Sequence, residues 1–219
     1  MQATIEGAPA FAHVHADLEP GESIVAESDA MASMDADLTM TTRLNGGLIG
    51  GLGRKFLGGE SLFINEFLNQ TDGIRRVTLV RATPGEIRSV DLDGGSLYLQ
   101  PGAYVCSTPG IKLGLGWAGL ASLIGREGLF KLIVSGAGTV WCGAYGSLVE
   151  KEVTGEYIVD TSHLVSYEPQ LKLKVQLAGG MLSSILGGEG LVTRIEGNGR
   201  IVIQTRSLAG LKSWLNPRI

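Results

Sequence analysis

Glu60, Glu127 and Glu189 have the strongest claim in this chain to a shared chemistry, because each sits in one recurring phrase: two apolar residues, Gly-Gly or Gly-Arg, the glutamate, a small residue, then an apolar run. The copies occupy residues 56–63, 123–130 and 185–192, with the glutamates 67 and 62 residues apart. Three carboxylates at equivalent places could converge on a ligand about a pseudo-symmetry axis. Their glycine neighbours favour a structural role instead, each carboxylate accepting hydrogen bonds from backbone N–H groups freed at its own turn. One glutamate per site is also too few oxygen donors for a hard cation.

The other reactive residue types give weaker constellations. His13 and His15 stand two apart, on one face of any strand, where two imidazoles could grip a transition metal. Without a cysteine or a third histidine beside them, the expectation is an inert pair and no metal site. His163 follows Asp160, Thr161 and Ser162, yet neighbours along a strand point to opposite faces and do not form a nucleophile–base–orienter triad. Cys106 and Cys142 make neither a redox pair nor a zinc knuckle and read as small buried hydrophobes. The glycine-rich stretch 45–55 ends in Arg54-Lys55 but lacks the phosphate-loop ending of Gly-Lys-Ser/Thr, so it reads as a connector. No catalytic residue, no cofactor site and no enzymatic activity are expected.

Those residues need elements to hold them, and the pattern is one of short strands. Leu171, Leu173, Val175 and Leu177 alternate with Lys172, Lys174 and Gln176, the period-two signature of a strand with one wet face. Ile111, Leu113, Leu115 and Trp117 repeat it, and Leu38 and Met40 give a weaker version. Ahead of each glutamate, apolar residues shift to helical spacing for one to two turns, too short to stand without a sheet beneath. Glycine punctuation at 20–22, 93–95 and 154–156 reads as a turn feeding a strand. Gly136-Ala137-Gly138 and Gly197-Asn198-Gly199 read as hairpin turns, and residues 69–73 as a longer insert in the first copy. A near-fixed period implies one supersecondary unit used three times, here about 18–92, 93–153 and 154–215, within a single domain spanning residues 1–219. The expectation is an all-β protein of three tandem units with few short helical turns.

Composition agrees with this and narrows the partners. Glycine makes up 33 of 219 residues, without collagen spacing and beside 44% apolar residues, as many tight turns between strands require. A net charge of −4 offers no positive field for DNA, and aromatics at 6%, dispersed, argue against an RNA track. The first twenty residues carry no basic, apolar signal pattern. Residues 132–149 are eighteen uncharged positions, long enough for a membrane span, but seven are Gly, Ser or Thr and the equivalent stretch 194–200 is charged, so they read as strand, turn, strand. A cytoplasmic protein without a membrane span is expected.

The glutamate phrase in triplicate, with Pro20-Gly21-Glu22, Leu92-Asp93-Gly94, residues 143–146, residues 159–164 and the closing residues 204–207, resembles the altered-inheritance-of-mitochondria family in its bacterial branch of uncharacterised function. The resemblance runs from about Ile5 to Trp214. It implies a fold similar to the tryptophan RNA-binding attenuation protein, a β-sandwich or double-stranded β-helix architecture, with three units per chain and a homotrimeric ring of nine. It implies no enzymatic activity. The eukaryotic members' link to mitochondrial inner-membrane organisation transfers only as a notion of scaffolding, since no mitochondrial presequence is present. The expected function is therefore a structural or interaction protein forming a homotrimer, with a protein partner yet to be named and Trp214 at the subunit contact. A small-ligand-binding or RNA-binding ring is the alternative.

Overall fold

The computed structural model describes residues 1–44, 63–100, 102–117, 130–177 and 191–216. Among the described residues the chain is all-β apart from one 3-10 turn, Thr161–His163, and one short helix, α1 (Leu208–Leu215). The amino-terminal strands are β1 (Gln2–Glu6), β2 (His13–Leu18), β3 (Ser23–Glu27), β4 (Met31–Met34), β5 (Leu38–Leu44), β6 (Phe63–Asn69) and β7 (Arg75–Leu79). A four-stranded antiparallel sheet runs β1-β2-β7-β4. Strand β2 shows why it is a strand: Val14, Ala16 and Leu18 are fully buried on one face, while His13, His15 and Asp17 are partly exposed on the other.

The remaining strands are β8 (Ile87–Leu99), β9 (Tyr104–Ser107), β10 (Ile111–Trp117), β11 (Phe130–Gly143), β12 (Leu148–Asp160), β13 (Leu164–Tyr167), β14 (Lys172–Leu177) and β15 (Leu191–Gln204). They join β3, β5 and β6 in an eleven-stranded sheet of order β12-β15-β13-β8-β11-β9-β3-β6-β5, with β10 beside β11 and β14 beside β15. The expected hairpins at Gly136–Gly138 and Gly197–Gly199 are instead bends inside the continuous strands β11 and β15, where Gly136 (φ 116°), Gly138 (φ 144°) and Gly197 (φ 123°) adopt backbone that other residues avoid. The ladder β11–β8 slips register between Ser135 and Ala137. The bend has a purpose: the first part of β11 pairs with β10 and the last part with β9, while β15 likewise serves β14 and then β13. Gly94 and Gly155, expected in turns, also lie within strands, so positions 92/93 and 153/154 fall inside β8 and β12. Near the amino terminus the long strand is broken, and residues 70–74 separate β6 and β7 into different sheets.

Among the described residues, apolar side chains gather in three clusters in chain order. The first centres on Leu18, Ile24, Phe67, Val77 and Leu79, the second on Leu99, Val134 and Val140, and the third on Val159, Ile195 and Ile201. Residues 132–149 are strand, turn and strand, and among the described residues no helix is long and apolar enough to cross a membrane.

Glu168 closes the turn between β13 and β14. Its carboxylate accepts hydrogen bonds from the Arg200 backbone N–H (2.9 Å), the Arg200 guanidinium (3.1 Å) and the Gln170 amide (2.7 Å). Burial pulls its pKa up, but the bonds from Arg200 and Gln170 outweigh burial and hold it below the ordinary glutamate value. A carboxyl more acidic in the folded than in the unfolded chain adds stability at neutral pH, and that stability is lost as pH falls through the range of free glutamate, about 4.3, toward the folded value. Glu168→Gln should therefore lower the melting temperature by a few degrees at pH 7 and by little at pH 3, read by thermal denaturation across that range.

Candidate functional site

Glu60, Glu127 and Glu189, with the apolar pairs before them and the connector 45–55, lie outside the described residues. The strands that flank each phrase are placed, and each pair is antiparallel: β5 with β6, β10 with β11, and β14 with β15.

Asp160, Ser162 and His163 come together but not as a triad. Asp160 caps the 3-10 turn, its Oδ1 accepting from the Ser162 N–H (2.8 Å) and hydroxyl (2.6 Å). The His163 Nδ1 meets the Gln204 carbonyl at 2.6 Å, and the Gln204 amide bonds to the Ser162 carbonyl at 2.9 Å. The serine hydroxyl donates to the aspartate, so the histidine takes no proton from it, and the cluster fastens the turn to the end of β15. Cys106 and Cys142 are free, buried thiols. Burial raises both, Cys142 to about 12, which leaves them protonated and unreactive at neutral pH.

The histidine pair finds a third member that the sequence reading lacked. Glu6 lies directly opposite His13 in the β1–β2 ladder, and His15 follows on the same face. Glu6 Oε2 stands 4.0 Å from His13 Nε2 and 3.7 Å from His15 Nε2, and the donor atoms of all three residues fall within 4.8 Å of one another. The signal that could have found Glu6 is its own alternation with Thr4, followed by Gly7 and Pro9 before the histidines, which reads as two strands around a loop.

A second surface feature is a pair of strand edges. Strand β9 adds to β3 with Val25 opposite Ser107 and Ala26 opposite Cys106. Strand β13 adds to β8 with Tyr98 opposite Tyr167 and Leu99 opposite Ser166. The Tyr104 hydroxyl reinforces the first contact, donating to the Val25 carbonyl (3.1 Å). In the second, Tyr98 and Tyr167 pack edge to face at 5.3 Å and the Lys131 ammonium lies 3.5 Å from the Tyr98 ring centre. Strands β4 and β12 each end a sheet, and among the described residues nothing pairs with their outer edges. Every residue of β9 and β13 is buried, whereas Met31, Ala32 and Ser33 of β4 are exposed. On β12, Ile158 is 52% exposed. Helix α1 buries none of its residues, and Trp214 is 76% exposed.

Long, bent antiparallel strands that recruit short strands along their edges place the molecule in a class of large all-β proteins. The profile of the family described as Mitochondrial biogenesis AIM24 matches residues 3–206, and the chain belongs to that family. It is similar to an uncharacterised protein of Streptococcus pyogenes serotype M6, 31% identical over an alignment that covers 95% of this chain and 87% of that protein. A crystal structure of another Streptococcus pyogenes protein, from a structural genomics programme, superposes with a TM-score of 0.81 at 28% identity, covering 100% of this chain and 99% of that one.

Proposed function

We propose that the protein is a non-enzymatic structural or interaction protein, built of three equivalent units, that joins head to tail into a homotrimeric ring. One observation carries the reading: the additions of β9 to β3 and of β13 to β8 share a single register. Each short strand slips by one residue against the strand it flanks, between Met31 and Ser33 in β4, between Tyr104 and Cys106 in β9, and between Leu164 and Ser166 in β13. Aligning those slips makes Met34, Ser107 and Tyr167 equivalent, and Ser33, Cys106 and Ser166. Matching the ends of the β5–β6, β10–β11 and β14–β15 ladders sets Phe63, Phe130 and Leu191 level, and the ladders to β3, β8 and β12 then make Val25, Tyr98 and Ile158 equivalent, and Ala26, Leu99 and Val159. The units then run about 12–80, 87–143 and 148–204, with joints at the turns before β8 and β12.

The rule used twice within the chain calls for a third joint, β4 against the second half of β12, with Met34 opposite Ile158 and Ser33 opposite Val159. Those strands sit at the edges of different sheets in one chain, so a second copy supplies the partner. Unpaired edges invite such addition, and a head-to-tail contact closes into a ring when its rotation allows. Val25 is 4% exposed inside a made joint and its equivalent Ile158 is 52% exposed at the open one, a difference a neighbouring chain removes. The number three comes from the family resemblance, which implies an attenuation-protein-like fold assembled as a trimer. The exposed Leu208, Trp214 and Leu215 of α1 offer further apolar surface for the same neighbour.

The test is a double variant, Ser33→Cys/Val159→Cys. Opposed residues on antiparallel strands have Cα atoms about 4.5–5.5 Å apart, within disulfide reach. Oxidation should give covalent dimers and trimers, and native mass spectrometry should give three times the 23.0 kDa chain. A monomer in solution, or a cross-link that closes within one chain, would defeat the proposal. A small molecule retained in the native spectrum would favour the ligand-binding alternative.

A further inference from the structure

We infer that Glu6, His13 and His15 form a binding site for a divalent transition-metal ion, with zinc the chemical match. The site is built by one hairpin. Cross-strand pairing of Glu6 with His13 and of Thr4 with His15 fixes which residues share the outer face of β1 and β2. The loop between them depends on Gly7, whose φ is 71° and at which a Cβ would fall 2.3 Å from the Phe11 carbonyl oxygen. The same loop carries the Phe11 carbonyl behind His13.

Both imidazoles are held from behind. His15 Nδ1 is hydrogen-bonded to Thr78 Oγ1 at 3.0 Å, and His13 Nδ1 lies 3.4 Å from the Phe11 carbonyl oxygen. Each ring therefore directs Nε2 toward Glu6, and the rings meet nearly perpendicular at 4.7 Å between centres. Fixing the outer nitrogen so that the inner one faces an ion is how ligating histidines are oriented. A tetrahedral ion with bonds of about 2.0–2.2 Å sets neighbouring donors roughly 3.3 Å apart. The separations of 3.7 and 4.0 Å from Glu6 close to that by rotations about the Glu6 side-chain bonds, which its 60% exposure allows, and the donors' overall spread of up to 4.8 Å closes as the two imidazole rings turn toward the ion. The adjacent Asp17 is engaged elsewhere, bidentate to Arg76 at 2.6 and 2.7 Å, and does not crowd the position.

The donor set chooses the ion. Two imidazoles and one carboxylate suit zinc, nickel or copper, and are wrong for magnesium or calcium, which take oxygen shells. Three protein donors leave a fourth position for water or a group from outside. A hydrogen-bonded salt link between glutamate and histidine is the rival account, and it predicts no metal uptake.

The experiment uses the full chain without a polyhistidine tag, stripped with chelator and titrated calorimetrically with zinc chloride, with cobalt(II) absorption as a second readout. One ion per chain and a tetrahedral cobalt spectrum are expected. His13→Ala/His15→Ala should abolish both while leaving the circular dichroism of the metal-free protein unchanged. Thr78→Val, which keeps all three ligands, should weaken zinc binding about tenfold or more. Absence of stoichiometric uptake, uptake that survives the double histidine variant, or equal uptake of magnesium would each overturn the inference.

Discussion

Ile158→Asp is expected to turn the proposed ring into monomers that keep their fold. In a single chain Ile158 is half exposed on the outer edge of β12, so an aspartate there stays solvated and costs the monomer little. In the proposed joint the same position faces Met34 across a strand pair, where the equivalent Val25 is almost wholly enclosed. A carboxylate carried into such a place without a cationic partner costs several kcal/mol, and each ~1.4 kcal/mol is a tenfold change in dissociation constant. The chain–chain contact should weaken by about a thousandfold or more on that arithmetic. Sedimentation equilibrium reads the assembly and circular dichroism the fold. A variant that sediments like the parent would place the contact elsewhere.

The largest effect on the fold itself is expected at Asn69. This side chain is wholly buried at the end of β6, where its amide donates to the Leu18 and Gly73 carbonyls, each at 2.8 Å. Its carbonyl accepts from the Thr71 backbone N–H (3.0 Å) and hydroxyl (2.8 Å). Its backbone is pinned as well, by Gly21 and Glu22. Asn69→Ala strands the Leu18 carbonyl and the Thr71 N–H, at about 1–3 kcal/mol for each buried polar group left alone, so a loss of about 3–5 kcal/mol follows. For a chain of this length that is roughly 10 °C of melting temperature. Asn69→Asp should be no milder, because it turns acceptor oxygens toward two carbonyls. Differential scanning calorimetry decides, and a shift under two degrees would show that water replaces the lost bonds.

How much of this could be read in advance depends on whether the cause was local. The alternation in Lys172–Leu177 and Ile111–Trp117 is a local cause, and both segments are strands. Gly136 and Gly197 were legible as positive-φ positions but not as bends, since a glycine of that conformation serves a hairpin turn and a bent strand alike. The choice was made by β9, β10, β13 and β14, which pair with the two halves of the long strands. Asn69 read as the start of an insert, and only its enclosure shows that it fastens three segments. Glu6 joined the histidines through a cross-strand pairing that no spacing rule reports. Met31–Met34 carries no alternation of apolar and polar residues, and its strand is set by the pairing with β7. The glutamate phrases, the loudest signal in the sequence, sit between strand pairs whose own placement is now clear.

The shared register of the two internal joints bears on how such a chain could arise. When a gene segment encoding a unit is duplicated in tandem, the surface that recognised its neighbour is copied with it, on both sides. A contact that once held separate polypeptides together then continues to hold after a linker makes them one. Fusion changes the count of chains while leaving the geometry of the joint untouched, and later divergence can give a single copy its own ornament. On the proposed division into units, strand β1 with its histidine hairpin would be such an ornament, since the residues just before β8 and β12 form no strand of that kind.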